Sequence, residues 1–289
     1  MKNILIIALL IPFLIFCKRQ EQPQKDKDDL TTFLTMDPVV QSSFNFYSKK
    51  IKDTFKIFIC LPKNYEKNKE SFPAVYITDA NVAFDMISTL MKLISNGLDC
   101  KQAIYIGVGY KDFMIMDSLR GRDYSYPQKE GIPGSGGAKL YTAFLRNELI
   151  PYIDSAYRTK PKENTLIGHS LGGYYAFYNM LSSAVEDKPM FKNYIAGSPF
   201  VINDKYLIDL EHKLSDKTDS LPVKLFMCSG TIGDVDSMRI VFTDIFKNRN
   251  YKGFEFKSIE LKGFDHMDVV VPTWTMGLRY ILTNEKDYH

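Results

Sequence analysis

The chain has 289 residues, 45% hydrophobic and 25% charged, ordinary globular usage that suits one large α/β domain better than two small ones. Lys plus Arg exceed Asp plus Glu by 37 minus 34, a net charge of +3, and the excess is scattered along the chain. No continuous basic stripe is left to follow a phosphate backbone, which argues against nucleic-acid binding.

In chain order, Met1-Lys2-Asn3 and the unbroken apolar run Ile4 to Phe16 come first. A positive start followed by an apolar stretch too short for a comfortable membrane span reads as a signal segment, residues 1–17. The order Leu14-Ile15-Phe16-Cys17 followed by polar Lys18-Arg19-Gln20 resembles a bacterial lipoprotein signal, in which the cysteine is lipidated after cleavage. Phe16 departs from the small residue usual before such a cysteine, so an uncleaved anchor and plain secretion stay open. Residues 18–35 are rich in Lys, Gln, Asp and Glu and read as a polar tether, because such a composition cannot bury a core. The remaining residues, 36–289, form the predicted globular domain. An exported protein of the periplasm, outer membrane or cell surface is the expectation, held to the membrane through its N-terminus.

Four cysteines are present, and setting Cys17 aside leaves Cys60, Cys100 and Cys228, with neither a metal-like spacing nor an even count. Cys60 and Cys228 lie in apolar runs and read as small buried side chains. Within the domain, Phe44 to Tyr47 and Phe55 to Leu61 flank a polar turn and predict an antiparallel hairpin. Short β-rich runs follow at Ala74 to Thr78, Ala103 to Val108, Thr165 to Ile167, Tyr194 to Ala196, Lys224 to Cys228 and Phe254 to Leu261. Helical patterns separate them at Val82 to Ile94, Ala138 to Tyr157, Leu171 to Ser183, Ser237 to Asn250 and Pro272 to Leu282. Such alternation predicts an α/β fold, with a mostly parallel sheet of about eight strands covered on both faces. Ligands of such sheets sit beyond the carboxyl ends of the strands, so the chemistry is sought just after each run.

Directly after the run Asn164 to Ile167 comes Gly168-His169-Ser170-Leu171-Gly172-Gly173, followed by a helical pattern. A serine at a sharp strand-to-helix turn is held in strained geometry with its hydroxyl exposed, and the glycines remove Cβ atoms that would collide there. Ser170 is thus the candidate nucleophile, with the Leu171 amide at the helix N-terminus as an oxyanion donor. A bare Gly-x-Ser-x-Gly can equally be a turn that only packs helix on sheet; strand before, helix after and a third glycine favour the catalytic reading.

A serine hydroxyl needs a base, and only four histidines exist. His169 lies inside the elbow, where its side chain is expected to point away from the crevice; His212 lies in a charged run and His289 ends the chain. His266 remains, in Gly263-Phe264-Asp265-His266-Met267, between the last strand and the last helix. The triad order Ser, acid, His requires an acid between them. Asp234, in the glycine-bearing loop Ser229 to Asp236 after a strand, is the first candidate, Asp236 the second and Asp204 the third; each is also a plausible helix N-cap by residue type. The second oxyanion donor is expected in Asp79-Ala80-Asn81, with the Asn81 amide first. The long segment Lys111 to Lys139 reads as irregular and should wall a pocket with Arg120, Arg122, Asp123 and Tyr124. Their guanidinium forks could recognise a carboxylate or other polar acyl group, or could brace the loop by ion pairs.

At this point the sequence resembles the esterase group of α/β hydrolases that includes enterochelin esterases, the esterase D branch and mycolyltransferases. The resemblance runs from Phe44 to Leu282 and rests on Ile57 to Pro62 with Tyr65, Phe72 to Asp79, Arg120-Gly121-Arg122-Asp123-Tyr124, Gly136-Gly137-Ala138, Phe144-Leu145, Glu148 to Ile153, the elbow, and Gly197-Ser198-Pro199. Ala80 stands where the family usually has glycine after the aspartate. The resemblance implies an α/β-hydrolase fold and suggests siderophore esters and acylated sugars as substrates; the stretch between Gly197-Ser198-Pro199 and the strand at Lys224 leaves room for only a helix or two, so no large cap domain is expected. The residues themselves suggest ester hydrolysis through an acyl-enzyme, needing no metal or organic cofactor, on a soluble small-molecule ester. An acyltransferase with the same triad and a non-catalytic surface binding lipoprotein are the alternatives.

Overall fold

A computed structural model of the chain describes residues 41–63, 65–67, 69–97, 100–131, 133–199, 204–233 and 237–283. The signal segment, the tether, Cys17, Asp234 and Asp236 lie outside the described residues.

Strands β1 (Gln41–Ser48) and β2 (Asp53–Cys60) form the expected antiparallel hairpin. β2 then pairs antiparallel with β4 (Ile104–Tyr110), which lies beside β3 (Ala74–Ile77). From β3 onward, β5 (Thr165–His169), β6 (Asn193–Gly197), β7 (Lys224–Gly230) and β8 (Glu255–Leu261) add on in parallel register. The eight-stranded order is β1-β2-β4-β3-β5-β6-β7-β8. Parallel neighbours require crossover connections, and the helices supply them.

Residue alternation explains why both faces are covered. In β3, Tyr76 belongs to one buried cluster while Val75 and Ile77 belong to the other; Tyr194 and Ile195 of β6 divide in the same way. The smaller cluster is closed by Phe84 and Ile87 of α1 (Ala80–Gly97) and by Trp274 and Leu278 of α8 (Val270–Leu282). The opposite face carries α2 (Met116–Tyr124), α3 (Ala138–Phe144), α4 (Ile150–Ala156), α5 (Leu171–Val185), α6 (Asp204–Lys217) and α7 (Ser237–Asn248). That larger core is aromatic: Tyr124, Tyr141, Phe144 and Tyr175 meet ring to ring, with centroids 5.0–5.6 Å apart for the contacts Tyr124–Tyr141, Tyr124–Tyr175, Tyr141–Phe144 and Tyr141–Tyr175.

Two expectations need correction. The helical pattern Ala138 to Tyr157 is interrupted by a π-helical stretch, Leu145–Leu149, between α3 and α4, with Pro151 in the first turn of α4. The segment 111–139 is not wholly irregular, since α2 carries Arg120, Arg122, Asp123 and Tyr124. Its sequence, with a central Gly121 and no apolar period, hides a helix that is held by its buried C-terminal end rather than by an apolar stripe. Among the described residues no cap domain is inserted in the α/β-hydrolase fold.

Candidate active site

The parallel strands end along one edge, where Asn81, Ser170 and the His266 loop follow β3, β5 and β8. Ser170 joins β5 to α5 at φ 58 and ψ −122, a left-handed conformation that costs a non-glycine residue roughly 1–3 kcal/mol. Its amide donates to Gly197 O at 2.8 Å and its carbonyl accepts from Tyr174 N at 3.0 Å, so the turn is held from the β6 side and by the helix it starts. A Cβ on Gly168 would collide with the Gly172 carbonyl, and one on Gly172 would collide with Thr78 Oγ1. Only glycine lets strand and helix approach this closely. The Leu171 amide opens α5, where the helix has no acceptor of its own to offer it.

His266 lies in the loop between β8 and α8 and is half-buried. Burial pushes its pKa below the ordinary histidine value, the Arg120 charge adds to this, and Asp265 opposes it weakly. Nδ1 of His266 is buried and has no hydrogen-bond partner among the described residues. Asp265 is engaged elsewhere: its Oδ1 accepts from the amides of Met267 and Asp268 at 2.7 and 2.9 Å, which shapes the turn and holds the carboxyl below its usual range.

His169 departs from the expectation that it points away. Its ring packs against His266, with centroids 4.7 Å apart and planes tilted 43°. Burial first, then the neighbouring His266 and Arg120, push its pKa down to about 3, so the ring is neutral at ordinary pH. Because His169 is bonded to Ser170, this contact brings the His266 loop beside the elbow. Elimination among histidines discarded it, since a strand pattern tells which face a residue takes but not what a distant loop lays on that face.

A second strained turn faces the elbow. Asp79, between β3 and α1, has φ 53, and its Oδ2 lies 3.2 Å from where a Gly172 Cβ would sit. Its amide donates to Tyr124 Oη at 3.3 Å. Its carboxylate takes both arms of the Arg120 fork, Nε at 3.0 Å and Nη2 at 2.9 Å. Burial penalises the Arg120 charge, but Asp79 more than offsets this and keeps the guanidinium charged. Ala80 and Asn81 open α1, and their amides have no intrahelical acceptor. The Asn81 side chain is committed to β4, with Nδ2 donating to Tyr110 O at 2.9 Å and Oδ1 accepting from Tyr110 N at 2.6 Å. That clamp fixes the start of the helix at the sheet edge.

The proposed pocket set divides. The Arg120 charge is one of the causes that lower the pKa of both imidazoles. Arg122 is used internally, on Asp123 through Nε and Nη2 and on Asp53 through Nη1. Asp123 and Tyr124 are 2% and 0% exposed and have no surface to offer a substrate. Recognition by Arg122, Asp123 and Tyr124 gives way to bracing, because an unpaired charge in this aromatic core would be far more costly than a paired one.

Of the acid candidates, Asp204 starts α6, and Asp234 and Asp236 lie outside the described residues. The described start of the loop after β7 meets the loop that carries His266. Ile232 N donates to Phe264 O at 3.0 Å and Gly263 N donates to Thr231 Oγ1 at 2.9 Å, which laces the loop after β7 to the loop that carries His266.

The Esterase family model, described as Putative esterase, matches residues 48–221. The chain is similar to ferri-bacillibactin esterase BesA of Bacillus subtilis (strain 168), 25% identical over 257 residues, which cover 81% of this chain and 87% of that protein. Among solved structures it is similar to an IroE-like serine hydrolase from Shewanella oneidensis, with TM-score 0.71 and 25% identity over 83% of this chain and 79% of that one. It is also similar to the BES protein from Bacillus cereus, with TM-score 0.73 and 24% identity over 84% and 95% of the two chains, a likeness that speaks for the fold alone.

Proposed function

We propose, from the premise that this chain belongs to the Esterase family, that this carboxylic-ester hydrolase works through an acyl-enzyme on Ser170. His266 takes the serine proton as the hydroxyl attacks the ester carbonyl and returns it to the leaving alcohol; water then repeats the sequence to release the acid. The amides of Leu171 and of Asn81, or of Ala80 beside it, hold the oxyanion. Asp234, with Asp236 and Asp204 behind it, is the proposed partner of His266. The observation that carries the reading is Ser170 at φ 58 on a strand-to-helix turn, with the His266 loop laid against its neighbour His169. A siderophore ester is the first substrate class to test, because the similar BesA is named for ferri-bacillibactin.

Labelling with a fluorophosphonate should modify Ser170, and Ser170→Ala should lose turnover by about a millionfold with its fold unchanged. If Ser170→Ala keeps more than about a thousandth of wild-type turnover, the nucleophile lies elsewhere.

For localisation, the reading is export with a lipid on Cys17. Wild type should partition into the detergent phase and Cys17→Ala should not; equal partitioning would remove the lipid anchor from the scheme.

A further inference from the structure

We infer that His169 is a positioning residue for this reaction: a partly buried ring packed on His266 that sets the orientation of the general base. The inference rests on the serine-hydrolase reading above and extends it to a residue that has no part in the triad.

Three observations meet at this side chain. His169 ends β5 and precedes Ser170, so its ring is carried by the same rigid strand end that holds the nucleophile. That ring lies 4.7 Å from the ring of His266, which sits on a loop and has no partner at Nδ1 among the described residues. Behind His169 the space is made by sequence: a Cβ on Gly197 would lie 3.0 Å from His169 Nδ1 and 3.0 Å from Thr273 Cγ2. The Nδ1 edge of the ring therefore lies against Gly197 at the end of β6, and the ring packs on His266.

Chemistry then limits what can stand there. When Ser170 attacks the ester carbonyl, His266 takes its proton and becomes an imidazolium, and a positively charged neighbour at ring contact would oppose that step. The charge of Arg120, on α2 and paired with Asp79, already lowers both rings, and Asp265 lies on the His266 loop itself. A further positive charge would lower the basicity of His266 again. Burial keeps His169 uncharged, so it can pack on His266 without that penalty. Both its nitrogens are buried without a well-formed hydrogen bond, although the ring also reaches toward the His266 main chain. The shape and neutrality of the ring, more than its polar atoms, are thus what His266 feels.

The test compares His169→Ala, His169→Gln and His169→Phe in the full chain, with a short p-nitrophenyl ester as substrate and fluorophosphonate titration to count active sites. Removing the ring in the Ala and Gln variants should lower kcat per titrated site by about 10- to 100-fold, the scale on which a small misplacement of a reacting group acts. KM should stay within about twofold, because ground-state binding is untouched. The acid limb of the pH profile should move up, toward the ordinary histidine value, as water reaches His266. Phe restores a neutral ring, and should return kcat to within about threefold of wild type and the pH limb to its original place.

A role in stability alone would lower the melting temperature of the variants and leave kcat per site and the pH limb where they were; that result overturns the inference. So does a Phe variant as slow as the Gln variant. If Ala does not fold, the Gln and Phe pair decides alone. If instead Ser170→Ala keeps its activity, the serine-hydrolase reading fails and this inference falls with it, a different outcome from active Ser170 chemistry that ignores His169.

Discussion

Arg120 donates from Nε and Nη2 to the two carboxylate oxygens of Asp79, at 3.0 and 2.9 Å, and so ties α2 to the strained turn after β3. The two side chains are 19% and 10% exposed, so the pair is mostly withdrawn from water. Arg120→Met leaves the Asp79 carboxylate without its partner and should cost about 2–3 kcal/mol of stability, somewhat below a fully buried pair because some exposure remains. The same change removes a positive charge that depresses His266, so the acid limb of activity should rise in pH. Urea unfolding and a pH–rate profile on one preparation check both halves. An Asp79→Asn, Arg120→Met double variant should recover part of the stability, since no charge is then left unpaired.

Activity requires neutral His266, and burial together with Arg120 lowers its pKa from the ordinary value near 6.5. The sign is direct: a lowered pKa keeps the base unprotonated further into acid. The acid limb of kcat/KM for a short ester should therefore lie below pH 6.5, and a midpoint above 7 would contradict the environment described for this ring.

His169 predicts how stability responds to acid. Its pKa is about 3 when folded, against an ordinary 6.5. Between those values the unfolded chain binds a proton that the folded chain excludes, so stability rises with pH across the window and is lost as pH falls through it. The slope for one such group approaches 1.4 kcal/mol per pH unit, or about that, in mid-window. His169→Phe removes it. Urea midpoints at pH 7.5 and 5 should therefore draw together in His169→Phe relative to wild type, and an unchanged gap would mean that the folded state lets this ring protonate.

Which aspartate serves His266 follows from substitution. Thr231 and Ile232, after β7, are laced to the His266 loop, and Asp234 follows two residues later in the sequence. Asp234→Asn should then lower kcat by about ten-thousandfold, the scale for loss of the tautomer-fixing acid. A near-normal Asp234→Asn enzyme beside a crippled Asp236→Asn one would move the assignment by two residues. If both stay active, Asp204 or a Ser-His pair is the better description.

What the sequence determined by itself was a set of short apolar runs, helical periods and one local turn. Short apolar, β-rich runs in Ala74 to Ile77 and Thr165 to Ile167, helical spacing in Leu171 to Ser183, and the glycines flanking Ser170 each act within a few residues, so these strands, this helix and the elbow were legible in chain order. The helix Met116–Tyr124 was not, because it has no apolar stripe and its fate depends on Tyr124 and Asp123 being buried under other elements. The same holds for the site. Ser170 and His266 could be chosen as types in suitable turns, but the turning of His169 onto His266, the withdrawal of Arg122, Asp123 and Tyr124 into bracing contacts, and the capture of Arg120 by Asp79 were decided only in the tertiary structure. The Arg120–Asp79 and His169–His266 contacts join residues 41 and 97 positions apart, and a local pattern holds no information on which distant segment will supply the partner. That choice is made by the order in which parallel strands add to the sheet and bring their carboxyl ends to one edge.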